Sequence, residues 1–171
     1  MLKQTHFFRL LIILGILSLY SCSEDEGPLD PIKGKWQVSA INATETETYE
    51  LRPEKNNITY FKADNISSTY EFMDENILEV RGKYDRIRYD EEGNELSVVR
   101  DIPNHRTDYW EINEDMSEFL FAIDGTFLEE RWEITELTTN KITKKSVVEI
   151  DIETTDGPIN IKIEVIIELT R

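Results

Sequence analysis

Ile159, Ile161, Ile163, Val165, Ile167 and Leu169 alternate with Asn160, Lys162, Glu164, Ile166, Glu168 and Thr170 at the C-terminal end of this chain. A period of two is the signature of a β-strand, whose successive side chains point to opposite faces. The run predicts one long strand with an apolar face and a mostly wet one, and the apolar face must be covered by further sheet. Val148, Ile150 and Ile152 alternate with Glu149, Asp151 and Glu153 in the same way, and Asp156-Gly157 between the two runs is a strong hairpin signal. Ile166 interrupts the polar face and marks a bulge or an outside contact.

The same grammar runs upstream. Phe119, Phe121 and Ile123 share a face before a turn at Asp124-Gly125, and Leu128, Trp132 and Ile134 then oppose Glu129 and Arg131. Trp110 and Ile112 precede a turn at Asn113-Glu114-Asp115. Leu96 and Val98 follow one at Glu92-Gly93-Asn94, and Leu78, Val80, Gly82 and Tyr84 follow one at Asp74-Glu75-Asn76. Short strands joined by tight turns predict a sandwich or an up-and-down barrel, and about eight or nine strands suit a closed barrel of the small-ligand class. No long stretch beyond the N-terminal segment has a helical period. Residues 43–56, rich in Thr and Glu and containing Pro53, read as a solvated loop.

The N-terminus has a different character. Lys3 and Arg9 flank the start of an apolar segment from Leu10 to Tyr20, and Ser21 precedes Cys22, the only cysteine. A charged start, an apolar middle and a small residue at the cut make a secretory signal, and the apolar run is shorter than the ~20 residues a membrane-spanning helix needs. Leu19-Tyr20-Ser21-Cys22 resembles the lipobox of bacterial lipoproteins, with Tyr20 where a small residue is usual. The resemblance implies that residues 1–21 are removed and that Cys22 carries the lipid, palmitate-type acyl chains, that anchors the mature chain. Ser23-Glu24-Asp25-Glu26 resembles the export signal of surface lipoproteins in Bacteroidetes-type bacteria, which implies residence at the outer membrane, on the cell surface. Residues 22–31 then read as an acidic, proline-bearing tether.

Removing the first 21 of 171 residues leaves 150, the size of one domain with a real core. Of the 19 Lys and Arg, Lys3 and Arg9 go with the signal, so 17 face 35 Asp and Glu, a net charge of −18. Such a surface repels nucleic acid and anionic membrane and argues against both as partners. With Cys22 acylated, no thiol is left for a disulfide, so burial must supply the stability.

The first predicted strand carries Ile32-Lys33-Gly34-Lys35-Trp36-Gln37-Val38. Gly34-x-Trp36 resembles the opening motif of lipocalins, and Trp132-Glu133-Ile134-Thr135-Glu136-Leu137-Thr138 and Glu168-Leu169-Thr170-Arg171 look like lipocalin-like domains of Bacteroidetes lipoproteins. The resemblance covers residues 32–171. It implies an all-β, up-and-down antiparallel β-barrel of about eight strands. In that family the glycine admits the turn into the first strand and the tryptophan plugs the closed end, with a late arginine above it. Arg171 and Arg131 are the candidates for that arginine.

Chemistry leaves few traces. His105, the one histidine past the signal, sits in the polar stretch Pro103-Asn104-His105-Arg106 and reads as a surface residue; a nucleophilic triad or a zinc site needs more. With so many acids, a carboxylate pair for sugar cleavage arises by chance, so a carboxylate-dependent hydrolase ranks last. Asp90-Glu91-Glu92-Gly93-Asn94-Glu95 misplaces the glycine of a calcium loop and reads as a hairpin tip. No cofactor and no metal are expected, and the chain is read as non-enzymatic. Tyr60, Phe72, Tyr84, Trp110, Phe121 and Trp132 are the candidates to line a cavity, although the same side chains would serve equally to fill a solid barrel. Two functions follow. One is a barrel holding a small apolar or amphipathic ligand. The other is a solid interaction module contacting an envelope protein or glycan.

Overall fold

The computed structural model describes residues 31–123, 129–155 and 157–171. Residues 32–171 form one compact unit, and it is built almost wholly from strands: β1 (Gly34–Tyr49), β2 (Asn57–Asp64), β3 (Thr69–Phe72), β4 (Ile77–Arg81), β5 (Lys83–Tyr89), β6 (Glu95–Pro103), β7 (Arg106–Ile112), β8 (Glu118–Ile123), β9 (Glu129–Leu137), β10 (Lys141–Thr154) and β11 (Gly157–Thr170). The sheet runs β11-β10-β9-β8-β7-β4-β3-β1 and closes because β1 also pairs with β11. That is an eight-stranded antiparallel barrel. β2, β5 and β6 continue outward from β1.

The extra strands are continuations of barrel strands. β2 and β3 are one interrupted path alongside β1: Asn57–Lys62 pairs with residues 42–47, and Thr69–Phe72 with residues 34–37. β4 and β5 are likewise one path kinked at Gly82, and β6 and β7 one path broken at Asn104 and His105. The chain is thus an up-and-down meander of eight long paths in two storeys. The lower storey closes. The upper storey, β10-β11-β1-β2-β5-β6, is an open, curled sheet whose concave face continues the barrel interior.

A belt of irregular backbone separates the storeys. Val38 and Ala40 bracket a register shift in β1, and the Val38 amide bonds the Ser68 carbonyl at 2.9 Å in the β2–β3 gap. Gly82 has φ +128°, and a Cβ there would collide with the Ser67 backbone; its carbonyl accepts from the Asn104 amide at 2.9 Å. Asn65 and Asp101, both at positive φ, are tied through Asp85, whose carboxylate accepts from Asn65 Nδ2 and from the Asp101 amide, each at 2.8 Å. Those two bonds hold the Asp85 carboxyl below the usual carboxylate range.

The closed storey is packed solid. Trp36, Val38, Phe72, Leu78, Val80, Phe119, Phe121, Ile142 and Leu169 are 2 % exposed or less. Phe72 and Phe119 stack at 5.6 Å between centroids, Phe119 and Phe121 at 5.4 Å, and Trp110 meets Phe72 edge-on at 5.2 Å. At its base Gly34 has φ +109°. Trp36 Nε1 donates to the Ile32 carbonyl at 2.7 Å, and the Arg171 guanidinium lies 4.0 Å over the Trp36 ring while donating to the Ile32 and Lys33 carbonyls. Of the two arginine candidates it is therefore Arg171 that covers Trp36, whereas Arg131 is exposed and pairs with Glu118 at 3.5 Å.

Two expectations are corrected. Residues 43–49 are strand and not loop: Ala43 to Tyr49 pair residue by residue with Val165 to Ile159, and only residues 50–56 connect β1 to β2, through a single 3-10 turn at Pro53–Lys55. Thr44, Thr46 and Thr48 occupy one face of that strand as β-branched residues do. Ile166 sits half-buried between Asn42 and Lys145, with β11 in unbroken register on both sides, so no bulge occurs there. The turns at residues 74–76, 92–94 and 113–115 close as expected, with Met73 bonding Ile77, Asp90 bonding Asn94 and Asn113 bonding Glu118. The expected turn at Asp124-Gly125, Leu128 and Asp156 lie outside the described residues, although β8–β9 and β10–β11 do pair as hairpins.

Candidate functional site

Above the packed core the concave face opens into a cavity of about 270 Å³. Its walls are Ile41, Ala43 and Glu45 of β1, Phe61, Lys62 and Ala63 of β2, Tyr84 and Arg86 of β5, and Ile163 and Val165 of β11. Strand register explains the set. Ala43 pairs with Val165 on one side and Phe61 on the other, and Ala63 pairs with Arg86, so these side chains share the concave face. Small residues at Ala43 and Ala63 leave the space that larger ones would fill.

The cavity has an apolar body and a charged lip. Arg86 and Arg88 lie 5.6 and 5.8 Å from the centre of the Phe61 ring. Arg88 Nη2 donates to Thr59 Oγ1 at 3.2 Å, while Arg86 is exposed and reaches the cavity with Glu45. An apolar body with a few convergent polar groups is how small-molecule sites are generally built.

Just beneath the cavity lies a second constellation. Lys144, on β10 opposite Ile167, is completely buried, and its Nζ sits 4.3 Å from the Phe121 and Trp132 rings and 4.8 Å from Tyr70. The amine has no hydrogen-bond partner among the described residues. Burial, followed by the Arg106 charge, pushes its pKa well below the ordinary lysine value against the opposing pull of Glu130 and Asp108. Arg106 itself bridges Asp108 at 2.8 Å and Glu130 at 3.4 Å, and Trp132 Nε1 also donates to Glu130, at 3.3 Å. Burial likewise raises the Tyr70 hydroxyl. The two inward acids are therefore engaged by one guanidinium, an arrangement suited to holding charge in place.

Of the six residues expected to line a cavity, Tyr84 does so. Phe72, Trp110, Phe121 and Trp132 fill the closed storey, and Tyr60 is 42 % exposed on the convex face, one residue out of phase with Phe61. Gly34 and Trp36 lie at the closed base. His105 is exposed between β6 and β7. Asp90 spends both carboxylate oxygens on Asn94, at 2.7 and 2.9 Å. Cys22 and the Ser23, Glu24, Asp25, Glu26 run lie outside the described residues. Among the described residues there is no helix long and apolar enough to cross a membrane and no group of three or more His, Cys, Asp or Glu placed to hold a metal ion.

No family model, no curated protein and no solved structure matches this chain.

Proposed function

We propose that this protein is a lipid-anchored envelope protein that binds a small amphipathic molecule in the cavity between its storeys, without catalysing a reaction on it. The cavity carries the reading: apolar walls from β1, β2 and β11 meet a cationic lip at Arg86, so an apolar tail with an anionic head fits both ends. At about 270 Å³ the space suits a ligand smaller than the usual drug-sized occupant, whose pockets run from about 300 Å³ upward. The anchor rests on Cys22 and its flanking sequence, and the acidic run after it favours the cell surface of a bacterial outer membrane. The opening Gly34-x-Trp36 supports a lipocalin-like ancestry.

Titration calorimetry with a series of medium-chain carboxylates tests the proposal. Saturable binding is expected. Ala43→Phe, which fills the cavity, should abolish it, and Arg86→Ala should weaken it roughly fivefold to tenfold, the loss of one charge-assisted contact. Absence of heat across the series, or equal binding by Ala43→Phe, would remove the cavity from the function. The solid lower storey and an exposed apolar strip on β10 favour a further role in protein contact.

A further inference from the structure

Among the described residues, β10 is paired on one side only past Lys145. Ile142–Lys145 shares its ladder with β9, but from Ser146 to Thr154 the ladder among the described residues is with β11 alone. The unpaired backbone edge carries Val148, Ile150 and Ile152 on its concave face, 48, 43 and 41 % exposed. Directly across the strand pair stand Ile163, Ile161 and Ile159. An apolar strip two strands wide therefore runs up to an open edge, a combination that folded domains usually suppress. The opposite edge of the same sheet is suppressed: β6 holds Asp101 at φ +52° and ends in Pro103, and its register with β5 is twice interrupted. Over residues 146–154, β10 has no proline, glycine or register shift.

We propose that this edge, Val147 to Glu153, receives an extended cationic segment of a partner protein as an added strand. The charge on the other face selects the occupant. Glu149, Asp151 and Glu153 form an acidic row there, of which, among the described residues, only Glu149 forms an ion pair, with Lys162 at 3.4 Å. A second copy adding through the same edge would set acidic row beside acidic row, in molecules whose net charge is −16. A segment that alternates apolar residues with Lys or Arg meets both faces at once: its apolar side widens the strip, and its basic side neutralises the row. Main-chain hydrogen bonds supply affinity, and the alternation supplies selectivity. Ile163 is the one residue of this strip that also lines the cavity, and the edge itself is β10, which contributes no cavity wall, so the inference stands or falls apart from ligand binding.

Fluorescence anisotropy on the full chain in neutral detergent, with labelled peptides of about eight residues, the length of an ordinary strand, decides the matter. One peptide alternates Val or Ile with Lys or Arg, a second has the same composition in two blocks, and a third alternates with Glu. The alternating basic peptide should bind, weaken in high salt, and slow hydrogen exchange at the amides of residues 147–153. The block peptide should bind at least tenfold more weakly, and the acidic one undetectably. Ile150→Lys, a change at an exposed site that leaves the fold intact, should lose at least tenfold, and Glu149→Lys with Asp151→Lys and Glu153→Lys should turn the preference to the acidic peptide. The proposal is overturned if the alternating basic peptide does not bind, if the block peptide binds equally well, or if sedimentation finds a dimer with these amides protected.

Discussion

Lys144 is the residue whose surroundings fit its chemistry least. An ammonium in bulk water must lose its proton or its hydration to sit among Tyr70, Phe121 and Trp132 with no hydrogen-bond partner among the described residues. Its folded pKa lies below the unfolded one, so across the interval between them the unfolded chain holds the extra proton and stability rises with pH. Lys144→Met keeps the length and removes the amine. Denaturant titration should find the variant more stable by roughly 1–3 kcal/mol at neutral pH, with the advantage shrinking toward pH 10 as the unfolded lysine itself loses its proton. At the base of the barrel the sign reverses. Arg171→Ala removes the cation over Trp36 and donors to the Ile32 and Lys33 carbonyls, and should cost about 1–3 kcal/mol.

At the level of elements the belt between storeys carries the distinctive physics. Gly82 and Gly93 both have positive φ, but a Cβ at Gly93 meets nothing within 4 Å, whereas one at Gly82 meets the Ser67 and Ser68 backbone. Gly93→Ala should therefore cost only the left-handed penalty, about 1–2 kcal/mol, and Gly82→Ala clearly more, with chemical denaturation of the two variants side by side as the measurement. The same belt explains which parts of the fold were legible beforehand. β10 and β11 stand out because Val148 to Ile152 and Ile159 to Leu169 keep a two-residue period that is broken at Ile166 alone. The second half of β1 does not, since its concave positions are Ala43, Glu45, Glu47 and Tyr49, facing an open mouth in place of a dry core. A polar inner face erases the hydrophobic period, so Thr and Glu read as loop. The cavity was hidden for a related reason. Aromatic size pointed to Trp110 and Phe121, which fill the barrel, while the space is set by Ala43 and Ala63, residues with no signal of their own. Lys144 was within reach: it shares the parity of Ile142, Val148 and Ile150, which places it inward.

For the molecule as a whole, a net charge of −16 sets a repulsive background against which the packed storey must hold. Raising sodium chloride from low ionic strength to about 0.5 M should increase the midpoint of thermal unfolding, because screening relieves that repulsion while the buried aromatic contacts are insensitive to it. A midpoint that falls or stays flat would mean that attractive pairs such as Lys145–Glu164 and Lys141–Glu136 outweigh the excess charge. Hydrogen exchange should separate the two levels, with β8 and the first residues of β1 exchanging only on global unfolding and β6 exchanging by local opening. Because the ring below the belt completes itself, the collar above it is spared the duty of keeping the chain folded. Its side chains are open to wholesale rewriting, much as antibody loops vary over a constant frame, and a new cargo could be acquired while the vessel beneath stays as it is.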